Sequence, residues 1–99
     1  METEDFEWDE RKCRRNVQKH GIDFEEVVEM FHGPYITRRS DRKEEERWLA
    51  IGEAEGRIVA VVFTRRSGRI RIISARRART DEARTYRRET MGTAKKGKN

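Results

Sequence analysis

The sequence predicts an α+β domain in which a mostly antiparallel sheet packs against helices, in the order β-α-α-β-β-β-β-α. Two observations predict this class. Two helical segments with recognisable ends lie before residue 35, and alternating or wholly apolar runs separated by short glycine-containing turns follow it. Because hairpin turns join consecutive strands, we expect an antiparallel sheet with two helices ahead of it and one after.

A short strand and a first helix open the chain. Residues 6–8 alternate apolar and acidic side chains, which predicts the strand. Asp9 offers an N-cap carboxylate to the helix that follows, and Gly21 can adopt the left-handed conformation that ends it. Cys13 and Val17, four residues apart, form its narrow apolar stripe. The pattern therefore predicts a helix that is mostly exposed to solvent.

The second helix has clearer signals. Asp23 as N-cap with Glu26 three residues later resembles a capping box, and Gly33 with Pro34 stops the helix. Its apolar residues fall at the spacing of one buried helical face: Phe24, Val27, Val28 and Phe31.

Four strands and a last helix complete the predicted domain. The strands are expected at residues 35–37, 47–51, 58–63 and 69–76, with turns at residues 53–56 and 65–68. The run at residues 58–63 is apolar on both faces, which predicts a central strand covered on both sides. Thr80 is the expected N-cap of the last helix, from which Ala83 and Tyr86 can face the sheet.

Composition limits the class of protein. Only 33% of the 99 residues are apolar, which suits one domain, predicted over residues 1–91, with residues 92–99 as a flexible basic tail. No apolar run approaches the roughly 20 residues of a membrane span, and the acidic start does not resemble a signal peptide. A single cysteine excludes an internal disulfide, and two histidines are too few for a zinc finger. We therefore expect a cytoplasmic protein without metal or cofactor.

Charge is divided unequally along the chain. The net charge of +5 combines residues 1–63, with 11 basic and 16 acidic side chains, and residues 64–99, with 13 basic and 3 acidic ones. The first part therefore carries a net charge of −5 and the second +10. A basic block of this kind is typical of contact with nucleic acid or with an acidic protein, although it can also be a solvated surface.

Several groups of residues match the pattern of one known family. They are Phe6 to Asp9, Lys12, Asn16, Lys19 to Ile22, Phe24 to Glu26, Glu46 and Arg47, Ile51 and Gly52, Val61, Val62 and Thr64, Arg69 to Ala78, Glu82 and Tyr86. Over residues 6–88 the chain resembles the BrnT toxins. The joint occurrence of Trp-Asp, Lys-His-Gly-Ile and Ile-Ile-Ser-Ala-Arg makes the resemblance specific.

The resemblance implies a function and a partner. BrnT proteins are toxins of bacterial type II toxin–antitoxin pairs, with a fold similar to the RelE-type ribonucleases, and they cleave RNA and so inhibit translation. Their antitoxin, BrnA, neutralises the toxin by binding it. It also carries a DNA-binding domain through which the complex represses its own operon. We therefore expect a hetero-oligomer with a BrnA-like antitoxin, and RNA as the substrate.

Metal-independent cleavage of RNA requires a base for the 2′-hydroxyl proton, an acid for the leaving oxygen and positive charge near the phosphate. Arginine suits the last role because its planar fork binds phosphate oxygens and stays charged. The candidate catalytic residues are Arg76, Arg47, Arg65, Glu46, His20 and Tyr86. The candidate RNA-binding residues are Arg69, Arg71, Arg77, Lys12 and Lys19.

Each candidate also has a structural interpretation. Arg76 can form an ion pair with one of the many acids. Across two strands, Glu46 can pair with Arg65, or Arg47 with a glutamate. His20 can interact with the dipole at the end of its helix, and Tyr86 can pack at the edge of the core. Along the last strand, regular alternation places Arg76 on the face of Ile70, Ile72 and Ser74, and Arg77 on the opposite face.

A second function fits the same composition. A non-catalytic module that binds nucleic acid or protein would use the same basic surface. Convergence of Arg, Glu and His in one cleft would favour the ribonuclease, whereas a flat band of arginines without an acid–base pair would favour the binding module.

Overall fold

The computed structural model describes residues 5–92 and has the predicted order of elements. These are β1 (Phe6–Glu7), α1 (Glu10–His20), α2 (Phe24–Met30), β2 (Tyr35–Arg39), β3 (Trp48–Ala54), β4 (Arg57–Arg66), β5 (Arg69–Arg77), α3 (Thr80–Arg87) and a π-helical segment (Arg88–Gly92). The predicted tail lies outside the described residues, except for Gly92. No helix within residues 5–92 is both long and apolar enough to cross a membrane.

All five strands form one sheet in the order β1-β5-β4-β3-β2. The three hairpin-related pairs are antiparallel, and β1 pairs in parallel with β5 through Phe6 opposite Ile70 and Glu7 opposite Arg71. The predicted mostly antiparallel sheet is therefore confirmed, with β4 as its middle strand.

Apolar side chains pack on both faces of the sheet. On one face, which we call the α1–α2 face, Phe24 and Val27 of α2 pack with Val61 and Phe63 of β4. On the other, the α3 face, Tyr86 packs with Leu49, Ile51 and Ala60. The central strand is thus covered on both sides, as the apolar run at residues 58–63 predicts.

Helix α1 begins and ends where the sequence predicts. The Asp9 carboxylate accepts the backbone N–H groups of Arg11 and Lys12 at 2.8 and 3.3 Å, and Gly21 has a φ of +70°. The predicted burial of Val17 is wrong, since this residue is 41% exposed. Asn16 takes its place against the sheet.

Asn16 is buried because its amide satisfies two backbone groups. Its Nδ2 donates to the Ile22 carbonyl at 2.9 Å, and its Oδ1 accepts the Ala75 N–H of β5 at 3.0 Å. Strand β1 pairs only with the beginning of β5. The Asn16 side chain of α1 therefore accepts the hydrogen bond of the Ala75 N–H, which β1 does not reach.

Helix α2 lacks the predicted capping box. The Asp23 carboxylate accepts the Glu25 N–H at 2.9 Å, and the Glu26 carboxylate instead binds Arg57 of β4 at 3.2 Å. Met30 is fully buried, whereas Phe31 follows the helix and is only partly buried.

Two turns are shorter than predicted, and the last helix begins one residue earlier. Each hairpin closes through two residues with positive φ, Glu55 with Gly56 and Ser67 with Gly68. The N-cap of α3 is Arg79 rather than Thr80.

A β-bulge at Ile73 reverses the alternation of β5. Val62 lies opposite Ser74, but Phe63 lies opposite Ile72, so that Ile73 has no partner in the register. Ala75 consequently joins Ile72 in the core of the α1–α2 face, and Arg76 lies on the α3 face. The predicted grouping of Arg76 with Ile70 and Ile72 is therefore wrong, and Arg77 lies on the α1–α2 side.

Candidate nucleic-acid interface

The α3 face carries a group of arginines beside and beyond the region where Tyr86 packs. The strand register places six of them on this face: Arg38 on β2, Arg47 directly before β3, Arg66 on β4, and Arg69, Arg71 and Arg76 on β5. We call this set the arginine face. Of the residues predicted to bind or cleave RNA, Arg47, Arg69, Arg71 and Arg76 thus lie on one face of the sheet.

Arg76 is held by Glu82 of α3 in a two-pronged ion pair. Nη1 lies 2.9 Å from Oε1 and Nη2 lies 3.0 Å from Oε2. The Glu82 side chain is only 6% exposed, and it also accepts the Arg79 backbone N–H at 2.8 Å. The Arg76 guanidinium, aided by the Arg79 N–H, lowers the pKa of Glu82 to about 2. This pair orients the fork of Arg76 at the edge of the arginine face.

Arg69 and Arg71 share a carboxylate from β1. Glu7 lies opposite Arg71 in the parallel register and accepts a hydrogen bond from its Nη1 at 3.1 Å. The Nη1 of Arg69 lies 3.9 Å from the other oxygen of Glu7. The short first strand therefore positions two arginines of the face.

Arg47 and Arg65 lie near one end of the β3–β4 hairpin, as predicted, but their side chains take different partners. The guanidinium of Arg47 binds Glu45 at 2.7 Å. That of Arg65 lies over the Trp48 ring, 5.6 Å from its centroid, and near Phe63. Because Phe63 belongs to the α1–α2 core, Arg65 lies on the face opposite the arginine face.

Glu46 does not form an ion pair with Arg65, the structural alternative to a catalytic role that the sequence allows. Its carboxylate lies 3.4 Å from Arg39, and its backbone carbonyl accepts the Thr64 hydroxyl at 2.7 Å. The guanidinium of Arg39 lies over the Trp48 ring. Glu46 therefore belongs to the group around Trp48, and its proposed role as general base stays a prediction.

The remaining candidates lie outside the arginine face. Lys12, Lys19 and His20 are exposed on α1, and Arg77 is exposed at the end of β5. Tyr86 is buried, and its hydroxyl donates to the Pro34 carbonyl at 3.3 Å, which accords with the core-edge interpretation. Burial raises the pKa of Tyr86. Their roles in RNA cleavage stay predictions.

Sequence reasoning missed Glu7 and Glu82, the two carboxylates that position arginines of the face. Glu7 contacts Arg71, 64 residues later in the sequence, because β1 pairs in parallel with β5. No local sequence pattern predicts this contact. Glu82 lies six residues after Arg76, at a strand-to-helix junction whose geometry depends on the bulge. The match of Glu82 to the family pattern was a signal that this residue matters, but it did not indicate a pairing with Arg76.

No group of three or more His, Cys, Asp or Glu side chains in the described part of the chain is arranged to hold a metal ion. The arrangement can bind phosphate oxygens through the arginine N–H donors that the carboxylates leave free, on guanidinium groups whose orientation is fixed in advance. It concentrates positive charge along one side of the sheet.

One comparison with known proteins is positive. A family model described as "Ribonuclease toxin, BrnT, of type II toxin-antitoxin system" matches residues 8–82. This match covers all of α1 to β5 and the beginning of α3. No curated protein matches the chain.

Proposed function

The chain belongs to the BrnT family of ribonuclease toxins of type II toxin–antitoxin systems, and from that premise we propose that its arginine face binds RNA and cleaves it. The observation that carries the proposal is the placement of six arginines on one face of the sheet. Three of them, Arg47, Arg71 and Arg76, are half-buried and held by carboxylates, so they lose little freedom when they bind phosphate.

The reaction we propose is attack of a ribose 2′-hydroxyl on the adjacent phosphorus. The 2′-oxygen loses its proton as it bonds to phosphorus, and the 5′-oxygen leaves and gains a proton. The products are a 2′,3′-cyclic phosphate and a free 5′-hydroxyl. Negative charge accumulates on the phosphorus oxygens between these steps, and the guanidinium groups of Arg71 and Arg76 stabilise it through N–H donors that Glu7 and Glu82 do not occupy.

In the proposed mechanism the protein contributes mainly electrostatic stabilisation of the transition state. The carboxylates nearest the arginines, Glu7, Glu45 and Glu82, are already paired with them and do not serve as the general base. The two histidines lie elsewhere, His20 on α1 and His32 after α2. Without a base from the face, the rate should rise continuously with pH as hydroxide takes the 2′-hydroxyl proton. A bell-shaped profile would instead favour acid–base roles for His20 or Glu46.

The proposed biological role follows from the family. Cleavage of RNA would inhibit translation, and a BrnA-like antitoxin would neutralise the toxin by binding it. Through its DNA-binding domain, the antitoxin would let the complex repress its own operon. Co-expression with a cognate antitoxin should restore growth to cells in which this chain alone is toxic.

The direct test is incubation of the purified protein with RNA in the presence and absence of EDTA. We expect fragments that end in a cyclic phosphate, formed equally in both conditions. Arg76→Ala and Arg71→Gln should each lower the cleavage rate at least tenfold, whereas Arg42→Gln, an exposed charge in the β2–β3 connection, should not. Intact RNA with the unmodified protein would contradict the proposal.

A non-catalytic module that binds nucleic acid is the second candidate. It is favoured by one observation: within residues 5–92, no histidine lies on the arginine face. If the protein binds RNA but leaves it intact, this second function replaces the first.

A further inference from the structure

Helix α1 carries a second basic surface inside the acidic part of the sequence. Its 11 residues include five Lys or Arg and one acid, a net charge of +4 with His20 neutral. Residues 1–63 together carry −5, so this helix, at +4, is a net positive segment in a part of the chain that otherwise carries −9. Four exposed side chains lie on the flank of α1 nearest β5, and we call them the α1 basic surface: Lys12, Arg15, Lys19 and His20.

The α1 basic surface forms one wall of a groove of about 230 Å³. The other wall is the bulged part of β5, at Ile73 and Ser74. Ser74 lies on the α3 face and is separated from Arg76 by one residue, and β1 leaves this edge of β5 uncovered beyond Arg71. The groove therefore continues the arginine face across the edge of the sheet towards α1.

The charges of the two surfaces are compensated to different degrees. On the arginine face, Arg47, Arg71 and Arg76 each form an ion pair. Within the described residues, by contrast, no carboxylate forms an ion pair with a basic side chain of α1. Uncompensated positive charge beside a narrow groove attracts a polyanion more strongly than paired charge does.

We propose that the α1 basic surface binds the phosphates of the same RNA strand that is cleaved on the arginine face, on the far side of the β5 edge. The proposal rests on the proposed function, which supplies the RNA. Its groove is lined by three Lys or Arg side chains and by no Phe, Tyr or Trp, so we assign the contact to the phosphate backbone, independent of sequence. The bulge at Ile73 lies between the two sites.

The test uses two RNAs with the same central sequence, of about 5 and about 15 nucleotides, the range of site sizes seen in proteins that bind single strands. Arg15→Gln and Lys19→Gln should each reduce kcat/KM for the longer RNA about threefold and leave that for the shorter RNA unchanged. With a 2′-O-methyl version of the longer strand, which cannot be cleaved, each variant should flatten the plot of log affinity against log salt by about 0.7, the value for one lost phosphate contact.

Arg14→Gln is the matched control, because Arg14 is also exposed on α1 but lines a different groove with Trp8 and Val17. It removes the same charge and should change neither measurement for either RNA. Equal effects of Arg14→Gln and Arg15→Gln, or an equal loss for short and long RNA, would overturn the proposal. If neither RNA is cleaved, the proposed ribonuclease function fails, and the salt dependence with the 2′-O-methyl strand alone decides whether α1 binds RNA.

Discussion

Arg76, at the end of β5, and Glu82, in the first turn of α3, are joined by two parallel hydrogen bonds of 2.9 and 3.0 Å. The same carboxylate accepts the N–H of Arg79, the N-cap residue of α3. One acidic side chain therefore fixes the junction between strand and helix and orients an arginine of the proposed RNA site. Stability and function should depend on it together.

Glu82→Gln should destabilise the protein at neutral pH. The folded-state pKa of Glu82 is about 2 against an ordinary 4.5, so the charged form is stabilised by folding, by about 3 kcal/mol as an upper value. This stability is fully present above the unfolded pKa and is lost as pH falls towards 2. We expect a loss of about 2 kcal/mol at neutral pH, measured by urea denaturation.

The difference between Glu82→Gln and the unmodified protein should shrink as the pH is lowered from about 4.5 towards 2, because Glu82 becomes protonated first in the unfolded chain and then in the folded protein. Asp81→Asn is the matched control, since Asp81 is an exposed acid in the same helical turn. A destabilisation by Glu82→Gln that does not change with pH would contradict the assigned role of the ion pair.

The parts of the fold that depend on local chemistry could be predicted from the sequence. Asp9 and Gly21 mark the ends of α1 because capping involves only neighbouring residues. The apolar run in β4 predicts a central strand in the same way. The bulge at Ile73 and the parallel pairing of Glu7 with Arg71 arise from distant contacts. The bulge decides which arginines share a face, and the pairing decides which of them a carboxylate holds, so the composition of the site could not be predicted although its strand could.

Asn16→Ala should cost about 1–3 kcal/mol in the free energy of unfolding. The substitution leaves the Ile22 carbonyl and the Ala75 N–H without their partners in a buried seam between α1 and β5. Chemical denaturation measures the loss. Gln18→Ala, on the exposed side of the same helix, should change stability by less than about 0.5 kcal/mol. Equal stability of the two variants would show that the Asn16 hydrogen bonds contribute nothing.

Gly52→Ala should also destabilise the protein, by about 1–3 kcal/mol, because the sheet and α2 approach closely there. A Cβ on residue 52 would lie 2.6 Å from Cγ of the buried Met30 and 3.1 Å from Cβ of Tyr35. Gly33→Ala is the control, since the atom nearest to a Cβ on residue 33 would be the backbone oxygen of Met30, at 4.0 Å. A Tm for Gly52→Ala at or above that of Gly33→Ala would contradict this account of the packing.

A comparison of Arg71→Gln with Arg65→Gln should show which face of the sheet binds RNA. Arg71 lies on the arginine face beside Glu7, and Arg65 lies over Trp48 on the opposite face. We expect Arg71→Gln to weaken binding of a 2′-O-methyl RNA and to flatten its salt dependence by about 0.7. Arg65→Gln should leave both unchanged and lower stability by about 0.5–1 kcal/mol through loss of the cation–π contact. Weaker RNA binding by Arg65→Gln with no change for Arg71→Gln would place the RNA on the α1–α2 face instead.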